Sequence, residues 1–147
     1  MFVAGAVALQ AGCAPKAPPP APPPPPLPPH LGPPPAATCV VAPFTVADGG
    51  TANVSMTLTN DGGYCAATLT AGSGRPYDAP LETLPPQHGA AHVVKYNGRT
   101  SVEYVPEPGF AGHDSFTVRL IVRGMPGYTT LQVAVTVAPP AAAAPKA

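Results

Sequence analysis

Three cysteines, four histidines and seven acidic residues are the groups in this 147-residue chain whose chemistry could define a site. Their spacing excludes more than it builds. His88 and His92 stand four apart in HGAAH, which on a helix would turn two imidazoles to one face. Gly89 and the surrounding β-pattern make the segment a turn leading into a strand, and it lacks the glutamate of a hydrolytic H-E-x-x-H helix. His113, Asp114 and Ser115 supply the residue types of a nucleophile triad as immediate neighbours. Neighbours on a strand point to opposite faces, so these three cannot act as base, orienter and nucleophile. Calcium takes roughly six to eight oxygens, and the acids here are scattered. No glycine-rich phosphate loop opens a helix, and nothing has the form of a cofactor fingerprint. The chain is read as non-enzymatic, with no catalytic residue, metal or cofactor.

Cysteine is more informative. Cys13 stands between an apolar run, Phe2 to Ala11, and a wall of proline. The run is far short of the ~20 residues that cross a bilayer as a helix but has the length of a signal-peptide hydrophobic region. The positive residues that ordinarily precede such a region are missing, which points to a start upstream of Met1. An ordinary cut after Ala14 would place Pro15 where it obstructs cleavage, and a cut after Ala11 meets the large Leu9. LQAGC resembles the bacterial lipoprotein pattern, in which a cysteine after small residues is acylated and becomes the new N-terminus; Gln10 stands where that family usually has Leu. The resemblance implies a signal peptide over 1–12 and a lipid on Cys13. Ala14, in place of the Asp that favours inner-membrane retention, implies outer-membrane sorting. The bland reading is an ordinary thiol in a disordered tail. With Cys13 consumed, Cys39 and Cys65 remain as a pair able to close a disulfide in an oxidising compartment; two buried free thiols are the alternative.

Of the 25 prolines, 14 fall among the 24 residues from Ala14 to Ala37. Each lacks a backbone donor and holds φ near the polyproline value, so residues 13–37 form an extended linker. At ~3.1 Å per residue the segment reaches ~70 Å, enough to hold a domain well off a lipid surface. Its many PxxP spacings would also suit proline-recognising domains, which are chiefly intracellular eukaryotic partners.

Residues 38–138 change to Val, Thr, Gly and scattered aromatics, about the length of one small all-β sandwich. TANVSMTLT alternates strictly, with Ala52, Val54, Met56 and Leu58 on one face. NDGG then leads into YCAATLT, so those two runs are expected as neighbours across a turn. AAHVVKY and RTSVEYV flank Asn97-Gly98, a strong hairpin signal. SFTVRLIV turns Phe116, Val118, Leu120 and Val122 inward, and TLQVAVTV does the same with Leu131, Val133, Val135 and Val137. The spacing predicts an immunoglobulin-like antiparallel sandwich of about seven strands, with residues 139–147 as a disordered Ala/Pro tail.

PPQHGAAHVV, VEYVPEPGFAGHDSFTV and LQVAVTV together resemble the bacterial immunoglobulin-like, cadherin-like repeat of surface proteins, over about Leu81 to Val137. The matching positions are Pro86, His88, Gly89, Tyr104, Pro106, Gly109, Phe110, Gly112, Asp114, Ser115 and Phe116. That family occurs as tandem arrays on long adhesins, whereas this chain carries one copy, so adhesion does not transfer. Physically, Gly109 and Gly112 permit a compact turn, Phe110 can plug an end of the sandwich, and Asp114 can accept backbone donors.

Seven basic and seven acidic residues cancel, and the basic ones are dispersed along the chain, so no nucleic-acid footprint is legible. The segment Ala71–Pro86 reads as a long irregular connection carrying Arg75, Tyr77 and Asp78. Loops of that length are often functional, which makes these three the candidate contact residues; Tyr77 pinned against the sandwich is the competing reading. The expected function is a non-catalytic cell-envelope lipoprotein, held to the membrane by its lipid, whose domain is structural or binds another envelope protein. A small-ligand or carbohydrate-binding module is the alternative. It would need an aromatic platform drawn from Tyr64, Tyr77, Tyr96, Tyr104 and Tyr128, since tryptophan is absent.

Overall fold

The alternating runs become strands in a computed structural model of the chain, in which residues 33–77 and 79–141, together with 17 and 19, are described. Cys13, most of the proline linker, Asp78 and residues 142–147 lie outside the described residues. Eight strands follow in order: β1 (Cys39–Val41), β2 (Thr51–Thr59), β3 (Cys65–Leu69), β4 (Ala79–Leu84), β5 (Gly89–Tyr96), β6 (Arg99–Pro106), β7 (Gly112–Ile121) and β8 (Thr129–Ala138). They form a sandwich of a five-stranded sheet, β1-β2-β8-β7-β4, and a three-stranded sheet, β3-β6-β5. Among the described residues no helix is long and apolar enough to cross a membrane.

The inward faces are those the period of two assigns. Val54, Met56 and Leu58 of β2, Phe116, Val118 and Leu120 of β7, and Leu131, Val133 and Val135 of β8 are buried against Ala67 of β3 and Val102 and Tyr104 of β6. Burial of apolar area at roughly 25 cal/mol per Å² is what holds the two layers together. The β5–β6 hairpin closes on Tyr96 and Arg99 with Asn97 at φ 47° and Gly98 at φ 76°, the paired left-handed residues that match the twist of two strands.

Three expectations are corrected. The sandwich is not wholly antiparallel: β2 and β8 run parallel, from Thr51 opposite Thr130 to Thr59 opposite Ala138. A parallel pair needs a long crossover, and β3 to β7 supply it by way of the second sheet. Second, β2 and β3 are not hydrogen-bonded neighbours, because the Asn60–Gly63 turn carries the chain from one sheet to the other. Its groups serve that crossing: Asn60 N–H donates to Ala138 O, and Asp61 Oδ1 accepts from Gly63 N. Third, the supposed irregular connection contains β4, an edge strand paired with β7 whose register shifts between Glu82 and Leu84. Pro80 masks the strand in the sequence, yet a proline is tolerated at an edge where its missing N–H leaves no ladder bond unmade.

Cys39 and Cys65 form a disulfide, with Cα atoms 5.2 Å apart and a sequence separation of 26. It links β1 in one sheet to β3 in the other. A bridge of this kind belongs to an oxidising, extracytoplasmic environment.

Candidate functional site

The strand directions define two poles. Cys39 lies opposite Leu58 and Ala138 opposite Thr59, so the chain enters and leaves the sandwich at one end. The glycine-rich motif gathers at this tethered pole. Asp114 accepts hydrogen bonds from the N–H groups of Gln87 (3.0 Å), His88 (2.8 Å) and Ser115 (2.8 Å) and from the Tyr104 hydroxyl (3.0 Å). Burial opposes its charge, but these donors outweigh it and hold the carboxyl below its ordinary value. Burial, with the Asp114 charge beside it, pushes the Tyr104 phenol up. His88 stacks on Phe110 with ring centroids 4.4 Å apart, and the Asn60 amide donates to Glu107 O and Phe110 O. Phe110 packs against the core as an end plug. Asp114 takes the backbone N–H of Ser115, not its hydroxyl, and His113 lies beside Thr136, so this cluster orders turns and assembles no nucleophile. Among the described residues no three of His, Cys, Asp and Glu are placed to hold a metal ion.

The opposite pole holds the 47–50 turn, the 70–77 connection, the Asn97-Gly98 turn and the 122–128 turn. Asp48 organises it from within: Oδ2 accepts from Gly72 N (2.8 Å) and Oδ1 from the Tyr77 hydroxyl (3.1 Å). Tyr77 is wholly buried, and its N–H donates to Thr100 Oγ1 at 2.9 Å. It is therefore a core residue that pins the loop and not a contact residue, which corrects the expectation for this position. Burial is the main cause raising its phenol, with Asp48 adding to it. Arg75 is exposed at this pole.

Around Arg75 the fold assembles residues that are far apart in sequence. Lys95 and Arg99 flank the β5–β6 turn, and Arg119 and Arg123 flank the end of β7; all are exposed. Every basic residue of 38–138 thus lies at or near the pole remote from the chain ends. Met125 (46% exposed), Tyr128 (44%) and Tyr96 (39%) lie among them, and the Arg119 guanidinium sits 5.6 Å from the Tyr128 ring centroid. Asp61, Glu107 and Asp114 gather at the tethered pole. Tyr64, Tyr77 and Tyr104 are buried, so Tyr96 and Tyr128 are the tyrosines available to a ligand. Of the cations in this set, sequence reasoning found Arg75 alone; Tyr96 and Tyr128 it offered only among the five tyrosines of a possible platform. The signal it passed over was the placement of cations beside turns.

No family model matches the chain, and no curated protein matches it. A solved structure of an endo-fucoidan hydrolase from glycoside hydrolase family 107 is similar over 58% of this chain, at 18% identity and a TM-score of 0.38. The chain spans 13% of the length of that enzyme, and a likeness of this extent carries no activity across.

Proposed function

We propose that the chain is a non-catalytic lipoprotein of the bacterial cell envelope. Cys13 carries the lipid that holds it to the outer membrane, and the proline linker is the spacer. The immunoglobulin-like, cadherin-like sandwich is a protein-interaction module that offers its cationic pole to an acidic partner surface. The observation that carries this reading is the polarity of the domain: both chain ends emerge at one pole, and the exposed Arg, Tyr and Met residues gather at the other. Arg, Tyr and Met are the types enriched at protein interfaces. The domain disulfide is consistent with export.

The test compares pull-downs from envelope extracts with wild type, with an Arg75→Glu/Arg99→Glu/Arg123→Glu variant, and with Glu107→Gln at the tethered pole. Partners lost with the triple variant and kept by Glu107→Gln support the reading. Partners indifferent to the triple variant refute it. Tyr96 and Tyr128 are the observation that favours a carbohydrate-binding reading, so retention on insoluble envelope glycan that falls with Tyr96→Ala/Tyr128→Ala would establish that alternative instead. Mass spectrometry of the mature protein should find a diacylglyceryl group on Cys13; a free thiol there defeats the lipoprotein reading.

A further inference from the structure

Most hydrogen bonds at the tethered pole join one turn of the sandwich to another, but one set joins the sandwich to the end of the linker. Pro35 lies beside Tyr64 as a parallel neighbour, with Tyr64 N donating to Pro34 O (3.1 Å) and Ala36 N donating to Tyr64 O (2.9 Å). Ala37 N donates to Asp61 Oδ2 (2.7 Å), and Thr38 O accepts from Thr59 N (3.1 Å). Ala36 is buried in the core cluster. The folded domain therefore begins at Pro34 and not at Thr38, where the composition changes.

The sequence is fitted to this contact on both sides. Pro33, Pro34 and Pro35 have no backbone donor, and Ala36 is the first residue after them that has one. Parallel pairing at Pro35 calls on Pro34 O and Ala36 N and asks nothing of the Pro35 nitrogen. Sliding the linker forward by one ladder step would put Pro34 N in the donor's place, where there is no hydrogen to give. The register has a stop. On the other side, Gly63 is buried and its φ is not left-handed, so its conformation is open to any residue. It is glycine for want of space: a Cβ there would lie 2.8 Å from Pro34 O and closer still to Ala36 N and Cα.

Asp61 ties the two sides together, its Oδ2 taking Ala37 N from the linker and its Oδ1 taking Gly63 N from the turn. The Cys39–Cys65 bridge follows at once, since Cys65 is next to Tyr64 and Cys39 is next to Thr38. Residues 36–38 are thus held at both ends, and closing so short a loop costs little entropy beyond what the bridge has already removed.

We propose that residues 34–38 are a clasp that fixes the tether to the domain in one orientation, in place of a swivel. Its direction follows from the strand beside it. β3 runs from the tethered pole, where Cys65 faces Tyr104, toward the cationic pole, where Leu69 faces Thr100. Pairing parallel to the start of that strand, the chain traced backward from Ala36 leaves the domain away from the cationic pole. The clasp keeps the pole offered to a partner turned from the tethered end of the chain. That use rests on the proposed function, whereas the clasp itself does not.

The test is NMR of the full chain carrying Cys13→Ala, with neither lipid nor partner present, so failure of the clasp and failure of the proposed function are read separately. Ala36 and Ala37 should show backbone order parameters of about 0.85, as the sandwich strands do, while Ala17 and Ala21 of the linker fall below about 0.6. Gly63→Ala should bring Ala36 and Ala37 down to the linker value and leave the amides of β7 and β8 protected from exchange. Ala36→Pro/Ala37→Pro removes both donors from the linker side alone and decides the matter if Gly63→Ala also disturbs β7 and β8. In that variant the Tyr64 amide, its acceptor gone, should exchange about tenfold faster. A wild type in which Ala36 and Ala37 move as freely as Ala21, or a Tyr64 amide whose exchange the double proline variant leaves unchanged, overturns the proposal.

Discussion

Replacing Asp114 with asparagine isolates the contribution of the tethered-pole turn. The carboxylate accepts four hydrogen bonds within 3.0 Å, three from backbone N–H groups on two chain segments and one from Tyr104. An amide keeps one acceptor oxygen; an NH2 in place of Oδ1 faces the N–H groups of Gln87 and Ser115, which have no lone pair, and one in place of Oδ2 faces the His88 N–H and the Tyr104 hydroxyl, which alone can accept, so up to two of the four are lost. Bonds to a charged acceptor are worth about 1.5–3 kcal/mol each when buried. Asp114 is only half-buried, and ~1 kcal/mol each is the appropriate discount, giving ~2 kcal/mol in all. For a domain of this size each kcal/mol moves Tm by about 4–8 °C, so Asp114→Asn should melt ~10 °C below wild type at pH 7 by circular dichroism. The pH dependence has a definite sign. The folded value of this carboxyl lies below its unfolded one, so its stabilisation is fully present above the unfolded value near ~3.9 and is lost as pH falls through the folded value. The gap between wild type and variant should hold from pH 7 to ~5 and narrow below ~4. Asp61, also held low by N–H donors from Ala37 and Gly63, titrates alike in both proteins and cancels in the difference. A gap under about 2 °C at pH 7, or one that persists unchanged at pH ~2, would show that Asp114 does not organise the turn.

Removing the disulfide as Cys39→Ser/Cys65→Ser frees a loop of 26 residues, worth about 3 kcal/mol on the chain-entropy model, and should lower Tm by ~10 °C or more, with reductant having no further effect on the double variant. Tyr77→Phe should cost about 1 kcal/mol through its bond to Asp48, and Tyr77→Ala about 3–5 kcal/mol through the cavity; denaturant melts that found the alanine variant as stable as wild type would return Tyr77 to the surface. Asn60→Ala strips two half-buried carbonyls, Glu107 O and Phe110 O, of their donor and should cost ~2 kcal/mol, read from the shift in urea midpoint. Gly98→Val places a β-branched residue at φ 76° and should destabilise the hairpin by about 1–2 kcal/mol, with faster amide exchange along β5 than along β8.

Local chemistry was enough to determine the strands that alternate cleanly, the Asn97-Gly98 turn, the inward faces of β2, β7 and β8, and, by parity, the Cys39–Cys65 pair. Each depends on rules that act over a few residues: a period of two assigns a face, a left-handed φ needs Asn or Gly, and an odd cysteine must be spent elsewhere. Which strand lies beside which is a different matter, because alternation specifies a face and says nothing of a neighbour. β2 therefore looked paired with β3 when it is flanked by β1 and β8, and the parallel β2–β8 pair joins segments some eighty residues apart. β4 was hidden because Pro80 breaks the strand pattern at an edge where the fold can accept it. Tyr77 looked like a contact because its loop is long, yet Asp48 and Thr100, distant in sequence, draw it inside. The separation of charge between the poles was the least legible of all. A net charge of zero is a sum, and a sum discards position; only the folding of β5, β6 and β7 to bring Lys95, Arg99, Arg119 and Arg123 to one end gives the domain a cationic pole.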